Sequence, residues 1–466
     1  MSSTAQDRES DEEMPWNWEM KRIKCLFVYL MQFFVLSVDH SLIVSKQTLH
    51  LGRTRLPVDK NVLDILVTLS YVSSVALFSL ILGRYADKYR KTKRLILIGN
   101  VCSILGNVIY AVPYSIVSLL FGQFIRGIGR AVYVIVIGEV ARSYLPKDLL
   151  GVISLCLTVA SIGSLLSPIV EKCAHHWHDL WDESASILFV AGLYLIAVLL
   201  TAILASDLSL EYDVKANLGL AVVEKEMETR YSEDTDDFEE NAALFGPSTG
   251  NTEANANWFT ILLKLLRNPI TLAVIWSSFV LTHSKRMLVD HVPNLSAVGI
   301  PDHYTSVVNS LTVFTTGMTY LVVGSISKKV ADISIVCAGY FLVVLSSACW
   351  LIIAYLPGDD SALLPLFIIY LAASSISSCG EIALLVLMAK LVPCSVQSFS
   401  EAFRVCLLIL GSRLADALYS MESQIPLVST AISLALCFIT IPILNMNYQY
   451  LVDPKPIVVV QSQQYY

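Results

Sequence analysis

Apolar residues run along this chain in long blocks, without the two-residue alternation of a half-buried strand or the one-sided stripe of a soluble helix. A helix needs about 20 mostly apolar residues to cross the hydrocarbon core of a bilayer. Twelve segments meet that need: 24–46, 63–82, 95–112, 116–138, 150–170, 185–204, 269–289, 304–326, 333–356, 363–388, 399–419 and 426–444. The seventh carries His283, Lys285 and Arg286, and the eleventh Arg404, Arg413 and Asp416. Polar content of that kind suits helices that face a protein interior. The pattern predicts an all-α membrane protein of twelve transmembrane helices.

The polar stretch 205–257 divides these spans six and six. It sets the expected organisation: an acidic tail (1–23), a first six-helix bundle (24–204), an acidic disordered linker (205–257), a second bundle (258–444) and a C-terminal tail (445–466). Trp258 to Arg267 reads as an amphipathic lead-in lying at the membrane interface. Two pairs of segments echo each other. Leu82-Gly83-Arg84 resembles Val323-Gly324-Ser325 at an offset of 241 residues, and Gly163-Ser164-Leu165 resembles Gly411-Ser412-Arg413 at 248. These offsets suggest a duplicated six-helix unit and hence two pseudo-symmetric bundles, an arrangement that in transporters puts the binding site near the midplane.

Composition agrees. Of 466 residues 55% are hydrophobic and 15% charged, against about 25% charged in soluble proteins, and the mean hydropathy is +0.63. This excludes a cytosolic enzyme, a nucleic-acid binder and a secreted module. The net charge of −7 hides a division: residues 1–20 and 205–257 together carry −15, leaving the membrane body at +8. With both termini cytosolic, 21 of the 32 Lys and Arg fall on cytosolic segments, six of them in the short loop 83–94. The sequon at Asn294 then falls on an outer loop, where glycosylation would occur.

The cysteines sit mostly within apolar runs and lack the spacing of a disulfide framework or metal site. The run His175-His176-Trp177-His178 occupies adjacent loop positions, which seldom converge on one ion. No cofactor or metal is expected, and no nucleophile and base pattern points to an enzyme.

The stretch Gly83-Arg84-Tyr85-Ala86-Asp87-Lys88-Tyr89-Arg90-Lys91 resembles the signature of the major facilitator superfamily between spans two and three, with Arg90 in place of its second glycine. Gln123 to Arg130 and Gly163 with Ser167-Pro168 are similar to two further motifs of that family, in spans four and five. In span four Gln123 stands where the family has arginine, and Arg126 lies one turn on; in span five Ser167 replaces a glycine. Gly163, Ser167, Pro168 and Gly411 are read as helix-packing positions. Ser327-Lys328-Lys329, Ala389 to Pro393 and Gly411 to Leu414 resemble the lysosomal facilitators of the neuronal ceroid-lipofuscinosis group. The resemblance implies alternating access, and Asp87 among its bases suggests a conformational latch of Gly83, Asp87, Lys88, Arg90 and Lys91 with Glu139 and Arg142 as partners.

In that fold spans one, four, seven and ten line the cavity. Here they carry Asp39 and His40, then Gln123, Arg126 and Arg130, then His283, then Glu381. Ionisable groups at bilayer depth are functional candidates. Two arginines on one helix face suit a carboxylate or phosphate, and a carboxylate beside them can exchange a proton. These seven residues are the candidates for substrate binding and proton coupling. A purely structural Asp39–Arg126 pair and hydrogen-bonded interior histidines remain the alternatives. The expected function is secondary transport of a small anionic or zwitterionic solute with proton coupling; the alternatives are an anion channel on the same scaffold or a non-transporting interaction protein. Tyr448-Gln449-Tyr450-Leu451 matches a tyrosine-based sorting signal that would recruit adaptors. With the subgroup resemblance it points to a lysosomal or endosomal membrane, the plasma membrane being the alternative.

Overall fold

The structure, a computed structural model, describes residues 20–42, 60–112, 115–144, 146–177, 184–210, 258–290, 305–355, 360–421, 428–452 and 454. The N-terminal tail, nearly all of the linker, Asn294 and the end of the C-terminal tail lie outside the described residues, as does the histidine run's His178.

Within lipid each segment must satisfy its own backbone N–H and C=O groups, so a chain of apolar blocks folds as helices. All regular structure among the described residues is helical. Seven helices precede the linker: α1 (Met20–Leu42), α2 (Lys60–Tyr89), α3 (Thr92–Ala111), α4 (Ile116–Arg130), α5 (Val132–Ser143), α6 (Pro146–Trp177) and α7 (Ser184–Leu204). After it come α8 (Trp258–Arg267), α9 (Pro269–Asp290), α10 (Thr305–Ile326), α11 (Asp332–Tyr355), α12 (Asp360–Ile376), α13 (Ser378–Leu391), α14 (Gln397–Met421), α15 (Val428–Met446) and α16 (Tyr448–Val452).

Nine spans among the described residues are long and apolar enough to cross a membrane, and ten if the pair α8 and α9, bent by 89°, counts as one. The shortfall from twelve has a physical cause at each place. Helix α14 includes Glu401, Arg404, Arg413 and Asp416, and these ions pair within the protein. The apolar part of α15, Thr430–Met446, is short. Spans four and ten each carry a one-residue interruption, at Ala131 between α4 and α5 and at Ser377 between α12 and α13, and still count among the nine.

Two long contacts join the N-terminal to the C-terminal helices: α2 runs along α14, and α6 along α10. At the first, Gly83 and Gly138 both face Ser398. A Cβ on Gly83 would lie 2.8 Å from the Ser398 carbonyl oxygen, and one on Gly138 would overlap the Ser398 side chain. Only glycine permits this approach. Of the other packing positions, Gly163 backs onto the Phe34 carbonyl of α1, Gly411 touches Phe279, Ser167 is buried and Pro168 lies inside α6.

Candidate functional site

Two connected cavities lie between the N-terminal and C-terminal helices, sharing Leu157 of α6 and Tyr320 of α10. One, of about 420 Å³, is walled by hydroxyls and an amide: Ser37, Ser161 and Ser164 on one side, Asn309, Thr312, Thr316 and Ser374 on the other. The second, of about 170 Å³, is lined by Tyr133, Ser278, Thr282, Tyr320, Glu381 and Arg404. Together they form one chamber in which these polar groups are set among apolar walls.

Glu381 of α13 lines the chamber, one turn past Ser377, the single residue that separates α12 from α13 in an otherwise continuous span. Lys285 of α9 donates from Nζ to Glu381 Oε2 at 2.7 Å and to Ser378 Oγ at 2.7 Å. The side chains remain 21% and 27% exposed, so water reaches this pair. Arg404 is held differently: its Nε and Nη2 donate at 2.8 and 2.7 Å to the two oxygens of Glu401, a bidentate pair that is almost fully buried.

Asp39 and Arg126 do meet, as expected, but not on the chamber wall. Arg126 Nε donates to Asp39 Oδ1 at 3.2 Å, and the side chains are 3% and 4% exposed. Tyr194 Oη and Asn107 Nδ2 also donate to Asp39 at 3.0 and 3.4 Å. Gln123 Oε1 accepts from Arg126 at 2.8 Å, and the guanidinium lies over the Tyr71 ring. Every partner belongs to the N-terminal helices, and neither ion lines either cavity. The expectation that this pair faces water is therefore corrected. Asp39 points into the α3, α4 and α7 packing, where Tyr194 and Asn107 replace solvent.

The neighbouring residues diverge. Arg130 is half-buried and donates to the Leu36 carbonyl at 2.6 Å, while His40 is exposed. His283 is fully buried, with Nδ1 3.1 Å from the Gly411 carbonyl oxygen and its ring stacked on Phe279.

The expected latch residues Asp87, Glu139 and Arg142 come together in a buried cluster. Asp87 accepts from Arg142 Nη1 at 2.5 Å and from the backbone N–H groups of Ser398 and Phe399 at 2.9 and 2.7 Å. Those two N–H groups open α14 and have no partner in their own helix. Arg142 also donates to Ser398 Oγ at 2.9 Å and to Glu139 at 3.1 Å. Glu139 in turn accepts from Thr92 and from both the backbone and hydroxyl of Ser209. Lys88 instead sits over the Tyr89 ring. Arg90, where the signature has glycine, adopts φ 50°, the left-handed region. Tyr448 to Leu451, read as a sorting signal, is wound into α16 with Leu451 fully buried. A linear signal must offer its bulky residue to a partner, so the adaptor reading fails here.

Lys285, Arg404 and Glu401 carried a visible signal, charge within an apolar span. Tyr133, Tyr320 and Ser398 carried none, since their importance depends on what they face.

Among curated protein sequences, none matches the chain. Solved structures do. XylE, titled a proton:xylose symporter and bound to 6-bromo-6-deoxy-D-glucose, is similar with a TM-score of 0.68 at 12% identity, over 93% of this chain and 96% of that one. The human organic anion transporter MFSD10 (TETRAN) is similar with a TM-score of 0.62 at 14% identity, over 91% and 99%. At such identity the likeness speaks for fold alone. The profile of the Major Facilitator Superfamily matches residues 25–400. The apolar helices make the chain a multi-pass integral membrane protein, and with that profile spanning most of its length it belongs to the major facilitator superfamily.

Proposed function

We propose that this protein is a proton-coupled secondary transporter of a small anionic or zwitterionic solute. The observation that carries the reading is the partly exposed Lys285–Glu381 ion pair, whose Glu381 lines the chamber between the two sets of helices. Lys285, bonded to Glu381 behind the chamber lining, is the exchangeable cation. A solute carboxylate that takes Lys285 frees Glu381 of its counter-ion, and a partly buried carboxylate that loses its cation binds a proton more readily. Arg404 also lines this cavity, with its charge balanced by the bidentate bond to Glu401. XylE is a proton:xylose symporter and MFSD10 an organic anion transporter, which agrees with the reading.

The same reading includes twelve spans in two six-helix halves with cytosolic termini. The α2–α14 and α6–α10 contacts support it, because a two-fold axis relating span two to eight and five to eleven exchanges one contact with the other. The Asp87 cluster then closes the cytosolic end of the chamber. The Asp39–Arg126 pair holds span one to span four. A lysosomal or endosomal membrane rests on the subgroup motifs alone.

Proteoliposomes loaded with a metabolite extract test this, with solute movement read by mass spectrometry with and without an imposed pH gradient. The gradient drives at least one carboxylate-bearing solute in the native protein and fails to drive it in Glu381→Gln. Solute movement indifferent to the gradient and unchanged in Glu381→Gln would refute the coupling.

A further inference from the structure

The two cavities of the chamber differ in kind. The smaller, about 170 Å³, is lined by Glu381 and Arg404, whose ion-pair partners are Lys285 and Glu401. It falls short of the roughly 300 Å³ at which small-molecule pockets begin. The body of a solute must therefore extend into the larger cavity, of about 420 Å³. Among the described residues, no side chain lining that larger cavity carries a formal charge. Its polar groups come mainly from two facing helices. On α10, Asn309, Thr312 and Thr316 are spaced by three and four residues and so share one face; across from them stand Ser161 and Ser164 of α6. Thr312 already donates to the Val308 carbonyl at 2.9 Å and Ser161 to the Leu157 carbonyl at 3.1 Å, which leaves both hydroxyls as acceptors. Asn309 and Thr316 have no hydrogen-bond partner among the described residues, so each can both donate to a solute and accept from it.

A cavity that is uncharged yet offers hydrogen bonds selects in two ways. A second charge on the solute would be buried there without a counter-ion, which is costly. An alkyl body would cover Asn309 and Thr316 and leave their polar groups unsatisfied, a loss of at least about fivefold in affinity. We infer that Asn309 and Thr316 are specificity-determining residues, and that the transported solute carries its charge at one end and hydroxyl or amide groups along a neutral body. This rests on the proposed function for the seat of the solute's carboxylate, at Lys285.

Three unbranched six-carbon acids test this on the full chain in detergent: gluconate, with a hydroxyl on every carbon but the carboxyl, hexanoate, with none, and adipate, with a second carboxylate. Apparent affinities come from the rise of the unfolding midpoint with acid concentration, at one pH and matched ionic strength. Gluconate should bind at least about fivefold more tightly than either of the others. The double variant Asn309→Leu, Thr316→Val should bring gluconate down to the level of hexanoate, with the midpoint of the acid-free protein held. Asn309→Leu alone, at an exposed position, should already weaken gluconate while leaving hexanoate unchanged. Hexanoate or adipate binding as tightly as gluconate, a preference untouched by either variant, or no response to gluconate would each overturn the inference. Lys285→Met separates it from the proposed function. Equal binding of all three acids that disappears in Lys285→Met sinks the inference and keeps the carboxylate seat. A gluconate preference that survives Lys285→Met removes the seat and keeps the selectivity of the larger cavity.

Discussion

Replacing Asp87 by asparagine keeps the shape of the side chain and removes its charge. In the structure this carboxylate accepts the Ser398 and Phe399 N–H groups at the start of α14 and the guanidinium of Arg142. Asp87 and Arg142 both belong to the N-terminal helices, so their mutual pairing contributes to open and closed forms alike. The bonds to α14 are different, because they exist only while α2 and α14 are in contact. Asparagine can still accept one N–H through its oxygen, now without charge assistance. Its amide nitrogen is a donor and opposes the second. A hydrogen bond to a charged group is worth about 1.5–3 kcal/mol net, and the charge at a helix N-terminus adds about 0.3–1 kcal/mol. Losing one such bond and weakening the other destabilises the closed contact by about 3 kcal/mol, a factor of about 150 in population. A closed form held at about 99:1 falls to about 2:3.

Spin labels at Tyr89→Cys and Lys329→Cys, both exposed and at the same end of α2 and α10, read this directly. Accessible native cysteines are replaced first. Double electron–electron resonance should show one short distance for native Asp87 and a dominant longer one for Asp87→Asn. If a folded Asp87→Asn protein gives the native distribution, the carboxylate is not what holds α2 to α14, and the latch argument falls.

Three further outcomes follow from the same geometry. Arg90→Gly should raise the apparent unfolding temperature, because a left-handed arginine costs about 1–2 kcal/mol and glycine returns only about 0.5–1 kcal/mol of that in chain entropy; an unchanged or lower midpoint refutes it. Asp39→Asn leaves Arg126 buried beside a neutral amide and should cost about 3 kcal/mol of stability, read as a fall in the midpoint in detergent; retention of full stability would mean the pair is not structural. Lys285→Met removes the counter-ion of Glu381 and should abolish gradient-driven movement of carboxylate-bearing solutes with the unfolding midpoint held, whereas undiminished movement would show that Lys285 does not contact the solute.

Charge inside an apolar span marked most of the candidate ions, Asp39, Arg126, Glu381 and Lys285 among them, because placing an ion at bilayer depth needs a local reason. It did not say which of them faces water. Asp39 and Glu381 look alike in the sequence, each an acid in a cavity-lining span. Yet Asp39 is sealed by Tyr194 and Asn107 while Glu381 opens onto the chamber. His283 and Lys285 are two residues apart on one helix and therefore point to opposite faces, so only one could reach the chamber. Nothing in the hydropathy decides between them.

Hydropathy and the placement of Lys and Arg determined the helices and the acidic division between them, and the glycine motifs marked the close approaches. Each is a local property, because a segment in lipid must satisfy its backbone alone. The meeting of Asp87 with the N–H groups of Ser398 and Phe399, more than three hundred residues away, was decided by tertiary structure. So was the pairing of Glu381 on α13 with Lys285 on α9. These are relations between helices, set by the rotation and depth at which each packs against its neighbours, and one-dimensional spacing carries no record of either.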